Sequence, residues 1–198
     1  IAFDPFDKEK IWIGSPGGGL WSSSDGGNTW STNTDGLPVI GVSYIAINPL
    51  NSQEMYITTG DAHASDTYSI GILKSNDGGQ TWDTTGMQFD ITDDKMVNKV
   101  IIHPTYTDSL FAVTDKNIKI SADGGQTWSN ALTSSGSTMI GRFRDIEFKP
   151  NNPNILYAVK QTTGSSEVYK STDRGLSWSS AMNGISLVNR NRPLLAVT

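Results

Sequence analysis

Asp61, His63, Asp66 and Tyr68 place two carboxylates, an imidazole and a phenol within one stretch, Gly60 to Tyr68. Oxygen ligands at that spacing could hold Ca²⁺, and His63 could move a proton as an acid or base. A plainer reading is a loop in which Asp61 and Asp66 accept hydrogen bonds from their own backbone as Asx-turns. Asp61 and Asp66 are the local carboxylates available to a hydrolytic pair, and Asp61, His63, Asp66 and Tyr68 together are the candidate binding residues. Asp90-Ile91-Thr92-Asp93-Asp94-Lys95 adds acidity nearby and reads as a solvated loop. His103 falls in a slot held elsewhere by Asp4, Asn48 and Lys149, which assigns it no role.

What must position that loop is a repeat. Ser121-Ala122-Asp123-Gly124-Gly125-Gln126-Thr127-Trp128 recurs at Ser23 to Trp30, at Ser75 to Trp82 and, more loosely, at Ser171 to Trp178. Its aspartates, Asp25, Asp77, Asp123 and Asp173, are spaced by 52, 46 and 50 residues, a period expected of propeller blades. Ahead of each octet lie three short apolar runs bounded by Gly, Asn, Asp or Ser, the first ending at Pro5, Pro49, Pro104 or Pro150, where a missing N–H suits a strand end. A fourth run begins inside each octet, at Thr29, Thr81, Thr127 and Ser177. The expected fold is therefore all-β, a β-propeller of four four-stranded antiparallel blades, approximately 1–37, 38–89, 90–134 and 135–184. Residues 185–198, with Arg192-Pro193-Leu194-Leu195-Ala196-Val197-Thr198, read as the start of a further blade or as a closing strand. Repeat arrays need capped ends, so the expectation is a segment of a larger propeller, whose remaining blades are then partners; a closed four-bladed ring is the alternative.

From the strand-ending Pro to the Ser of the octet the units measure 18, 26, 17 and 21 residues, so the loop at Gly60 to Tyr68 is an insertion in unit two. Turns between strands one and two and between three and four share one rim. Loops between strands two and three share the other, where function on a rigid scaffold is expected.

The octet itself reads as a latch. Its Asp can accept N–H groups just ahead of it, and a following Gly supplies positive φ. Gly27, Gly79, Gly125 and Gly175 are expected at positive φ; Arg174, standing where the other copies have a first Gly, is not. Trp30, Trp82, Trp128 and Trp178 are expected to pack between strands or blades. The same residues at every blade describe a scaffold, and near-identical turns offer no differing environments to separate two carboxylate pKa values.

Composition narrows the partners. A net charge of -5 and a pI near 4.9 disfavour nucleic acid and anionic membrane, which call for a basic patch. There is no Cys, so disulfides and thiolate metal sites are excluded, and no apolar run is long enough to span a bilayer as a helix.

At the octets the chain resembles the Asp-box, or bacterial neuraminidase repeat, family, whose pattern is Ser/Thr-x-Asp-x-Gly-x-Thr-Trp; three copies match fully and the fourth has Ser177 for Thr. Similar proteins include sialidases, sortilin-type receptors, xyloglucanases and large secreted repeat proteins of Bacteroidota, all β-propellers. The phrase Thr59-Gly60-Asp61 through Asp66-Thr67-Tyr68-Ser69-Ile70-Gly71 to Ser75 is most similar to the last group, which implies a bacterial extracellular or cell-surface location and type IX secretion. Arg142, Arg144, Arg174, Arg190 and Arg192 lack the Arg-Ile-Pro signature of sialidases, and Gly14-Ser15-Pro16-Gly17-Gly18-Gly19 lacks the catalytic Asp that a xyloglucanase places there. The resemblance implies a non-catalytic scaffold or recognition module for protein or glycan, with part of a glycoside hydrolase as the alternative.

Overall fold

The computed structural model describes residues 1–62, 68–93, 95–187 and 193–197. Regular structure among them is β-strand; no helix is long and apolar enough to cross a membrane. In the first blade, β1 (Ala2–Phe3), β2 (Ile11–Ser15), β3 (Gly19–Ser23) and β4 (Ser31–Thr32) pair in chain order. The second repeats that order with β5 (Val42–Ile47), β6 (Met55–Thr59), β7 (Gly71–Ser75) and β8 (Asp83–Gln88). The third is β9 (Val97–Ile102), β10 (Leu110–Thr114), β11 (Ile118–Ser121) and β12 (Ser129–Asn130). β13 (Leu132–Thr133) then leaves this blade and joins the outer edge of the fourth, lying parallel to that blade's last strand, β17 (Ser177–Ser180). The fourth blade is β14 (Arg142–Lys149), β15 (Asn152–Thr162), β16 (Ser165–Ser171) and β17 (Ser177–Ser180). All other pairings are antiparallel, and the architecture is that of β-propeller blades.

Two details depart from the sequence expectation. The outer strands of blades one, two and three begin at Ser31, Asp83 and Ser129, after their octets rather than within them. Residues 193–197, the described part of the expected fifth-blade strand, form no strand; Leu195 N–H instead donates to Asp145 Oδ2 at 2.7 Å.

Blades are joined by three apolar clusters. Trp12, Leu20, Val42, Met55 and Leu73 fill the seam between the first two. Tyr56, Ile72, Val97, Val100 and Leu110 fill the next, and Phe111, Phe143, Ile146, Leu156 and Trp178 the last. β-branched and aromatic side chains alternating along narrow strands put one row into each neighbouring seam, so each blade is two-faced.

The octets close the turns from the third to the fourth strand. Ser23 Oγ donates to Asp25 Oδ1 (2.8 Å) and accepts the Gly27 N–H (2.9 Å); Asp25 takes the Thr29 N–H at 2.8 Å and its hydroxyl at 2.6 Å. The other copies repeat this, with Ser177 serving where Thr stands elsewhere. These bonds, the Thr29 hydroxyl foremost, hold the Asp25 carboxyl down at about 2, and Asp77 and Asp123 likewise. Gly27, Gly79, Gly125 and Gly175 have φ of 91°, 86°, 87° and 78°. Arg174, however, also has φ of 58°, against expectation. The reason is its N–H, which must reach Asn154 O (3.0 Å) as Gly26, Gly78 and Gly124 reach Glu9, Gln53 and Asp108. The ladder to the second strand imposes the left-handed conformation whatever side chain stands there, at a cost of roughly 1–2 kcal/mol for a non-Gly residue.

His103 has a task. Its Nδ1 accepts the N–H groups of Thr105 and Tyr106 (both 3.1 Å), as Asp4 accepts those of Phe6 and Asp7 and Asn48 that of Leu50. That role needs the neutral ring. Burial, with Arg174 nearby, lowers its pKa from 6.5. A group with a depressed folded-state pKa and a cationic protonated form binds more protons unfolded, so its contribution is whole above pH 6.5 and fades as pH falls through and below that value. The melting temperature is therefore expected to drop between pH 7 and 5, and His103→Asn, which can cap the same turn, to flatten that slope. An unchanged slope would remove His103 from the explanation.

Candidate functional site

Counting back five residues from Pro49, Pro104 and Pro150 gives Tyr44, Lys99 and Asp145; counting back six gives Ser43, Asn98 and Arg144. These equivalent positions of the inner strands β5, β9 and β14 converge on one cavity of about 370 Å³, lined also by Ala62, Glu147 and Pro193 to Leu195. Alternation along a strand explains the pairing: positions two apart share a face, so Asp145 and Glu147 project together from β14.

Lys99 is the centre of charge. Its Nζ reaches Asp145 Oδ1 at 2.8 Å and Glu147 Oε1 at 2.5 Å and lies 4.9 Å from the centroid of the Tyr44 ring. Burial works against the ammonium, but the two hydrogen-bonded carboxylates of Asp145 and Glu147 outweigh it, so its pKa stands above the ordinary lysine value. Tyr44 is raised by burial, with Lys99 acting the other way, and keeps its proton at neutral pH. Asp145 spends Oδ1 on Lys99 and on its neighbour's N–H at Ile146 (2.9 Å), leaving Oδ2 for Leu195.

Arg144 ties the site to the inserted loop. Its Nε donates to Gln161 Oε1 (2.6 Å), and its Nη1 to Ala62 O (3.0 Å) and Asn98 Oδ1 (3.3 Å). Asn98 donates in turn to Phe143 O at 2.6 Å. Ser43 Oγ donates to Gly60 O (2.5 Å) and accepts the Ala62 N–H (2.9 Å). The base of the blade-two insertion is thus fixed at the cavity by residues from blades two and four.

A family model, Sortilin-Vps10, described as "Sortilin, neurotensin receptor 3", matches residues 70–192. The chain belongs to the Sortilin-Vps10 family. No curated protein matches it. Among solved structures it is similar to a GH74 xyloglucanase from Xanthomonas campestris (16% identity, TM-score 0.67, covering 90% of this chain and 29% of that one). It is also similar to a GH74 enzyme from Niastella koreensis (22%, 0.69, 91% and 29%) and to YCF48 bound to D1 peptide (20%, 0.60, 88% and 50%). At these identities the likeness is one of fold. This Sortilin-Vps10 chain spans less than a third of the GH74 chains and half of YCF48.

Of the candidate residues in this Sortilin-Vps10 member, Asp61 is buried at the foot of the insertion and Tyr68 is exposed at its return. His63 and Asp66 lie outside the described residues, and with them the Ca²⁺ reading that pairs Asp61 with Asp66. The residues that line the cavity were not among the candidates: Tyr44, Asn98, Lys99, Arg144, Asp145 and Glu147. Their signal was available in the column counted back from each proline, where three different polar types replace the apolar residues expected of an inner strand.

Proposed function

We propose that the chain is a non-catalytic recognition module of an exported or cell-surface bacterial protein, and that it binds an extended protein segment across its inner strands. The observation that carries this is the N–H of Leu195 held by Asp145 Oδ2 at 2.7 Å, with Pro193, Leu194 and Leu195 lying along the cavity. A carboxylate oriented by Lys99 and presented to a backbone N–H is a charge-assisted acceptor, and apolar side chains beside it suit a peptide better than a sugar. YCF48, a propeller of related fold, has been seen with a peptide bound, which favours the same use of the fold.

A hydrolase reading draws on the GH74 neighbours and on Asp145 and Glu147. Against it, both carboxylates project from β14 and share one ammonium, whereas glycoside hydrolysis needs carboxyl groups flanking the bond.

Calorimetric titration with a blocked peptide of the sequence 193–197 tests the proposal. Leu195→Pro removes the N–H that Asp145 holds, and this variant is expected to bind the free peptide more tightly than the parent does. Adding Asp145→Asn should weaken binding by about tenfold or more, the worth of a hydrogen bond to a charged group. Equal affinity with Asp145 and with Asn, or xyloglucan depolymerisation abolished by Asp145→Asn, would overturn it.

A further inference from the structure

Two residues ahead of the serine that opens each octet stand Trp21, Leu73, Lys119 and Tyr169. Their register is the same in all four blades, each pairing with the outer strand, at Thr32, Thr84, Asn130 and Ser180. Alternation turns this side chain toward the preceding blade: Leu73 is buried in the first seam cluster, and Tyr169 packs against the last. Blade three puts an ammonium where the other blades put an apolar or aromatic side chain.

At Lys119 the seam is not filled. A cavity of about 190 Å³ lies there, lined by Met87 and Phe89 of the apolar seam cluster and by Lys95, Asp115, Lys116 and Lys119. Lys95 Nζ is engaged by Asp93 Oδ2 at 2.9 Å, and Lys116 Nζ stands 3.8 Å from Asp115 Oδ2. Lys119 has no carboxylate partner among the described residues. Asp115 Oδ1 is buried and accepts no hydrogen bond among them, a costly state for a carboxylate oxygen. The loop that carries Asp115 and Lys116 is held from both sides. Thr114 Oγ1 accepts the N–H groups of Lys116 (3.0 Å) and Asn117 (2.9 Å), the Asp115 N–H donates to Met96 O (3.3 Å), and Lys116 O accepts the Gly141 N–H (2.8 Å).

We infer that this seam cavity is a binding site for a free apolar α-amino acid, its carboxylate on the Lys119 and Lys116 ammonium groups, its amino group on Asp115 and its side chain against Met87 and Phe89. Each part answers one feature. Three ammonium groups and one carboxylate line the cavity of a chain whose net charge is -5, so an anionic group is drawn here against the overall field. A charged donor beside that group satisfies the Asp115 oxygen. The volume lies below the roughly 300–1,000 Å³ of pockets that take drug-sized molecules, which suits a single amino acid. No lining residue is shared with the cavity on the inner strands, so the two sites can be tested separately.

Saturation-transfer NMR and calorimetric titration with leucine test this on the full chain. The parent is expected to bind leucine, and to bind leucinamide, isocaproate and N-acetyl-leucine about tenfold or more weakly, since each lacks one charged contact. N-acetyl-leucine stands for the C-terminus of a peptide. Lys119→Leu gives blade three the residue that blade two has at this place, so it should melt no lower than the parent while binding leucine about tenfold or more weakly. Asp115→Asn should weaken leucine yet leave isocaproate, which has no amino group, unchanged. A parent that fails to bind leucine at any soluble concentration would overturn the inference. So would leucinamide, isocaproate or N-acetyl-leucine binding as tightly as leucine, or either variant binding leucine as the parent does.

Discussion

Replacing Lys99 by Met is expected to lower the free energy of unfolding by about 3–5 kcal/mol, the usual consequence of removing one partner of a buried ion pair. Lys99 and Asp145 are both buried, and the single ammonium serves Asp145 and Glu147 together while resting over the Tyr44 ring. Methionine keeps an unbranched side chain one atom shorter but leaves Asp145 without a counter-charge between β9 and β14. The triple variant Lys99→Met, Asp145→Leu, Glu147→Leu should recover most of that loss, because it removes the stranded charges along with the cation. Urea unfolding of the parent, single and triple variants measures both quantities from their midpoints. A Lys99→Met variant as stable as the parent would mean that water reaches these carboxylates, and the cavity would then be no built site.

Trp178→Ala should cost about 3–5 kcal/mol, the range for emptying a buried indole site, whereas Trp30→Ala should cost about 1 kcal/mol, near the worth of a single hydrogen bond. The two residues hold the same place in the same octet. Each donates its Nε1–H to the glycine carbonyl three residues back, Gly175 O at 2.8 Å and Gly27 O at 2.9 Å. Trp178 is 1% exposed and lies in the cluster between blades three and four; Trp30 is in none of the three clusters. Thermal melts of the two variants under one set of conditions decide the matter. Equal losses would show that the local turn, and not the seam, accounts for the energy of this residue. Trp82 is a variation on the same theme: Asn33 Nδ2 from blade one donates to Gly79 O at 2.5 Å, and the Trp82 Nε1–H is buried with no partner among the described residues.

Much of the architecture was legible because the octet is a local device. Ser23, Asp25, Gly27 and Thr29 satisfy one another within a few residues, so their recurrence announces a turn without reference to anything distant. The same locality explains where reading residue by residue fell short. The side chain of Arg174 predicts an ordinary φ, but its backbone is set by Asn154 on another strand. His103 seemed interchangeable with Asp4 and Asn48 and is so chemically, since Nδ1 accepts the same N–H groups that a carboxylate or amide oxygen would; what differs is that this acceptor can be titrated away.

From the sequence alone came the blade unit, its four-strand order and the latch of each blade, because strand alternation and turn chemistry are written within some ten residues. The cavity was another matter. Tyr44, Lys99 and Asp145 stand in three separate units, and nothing in any one of them makes a lysine among Val97, Val100 and Ile101 tolerable. Only the stacking of β5, β9 and β14 brings two carboxylates and a ring to that ammonium and lets Arg144 reach the base of a loop belonging to blade two. Buried charge is stable only with its partners in place, and which partners those are is decided by how blades pack, not by any residue's neighbours along the chain.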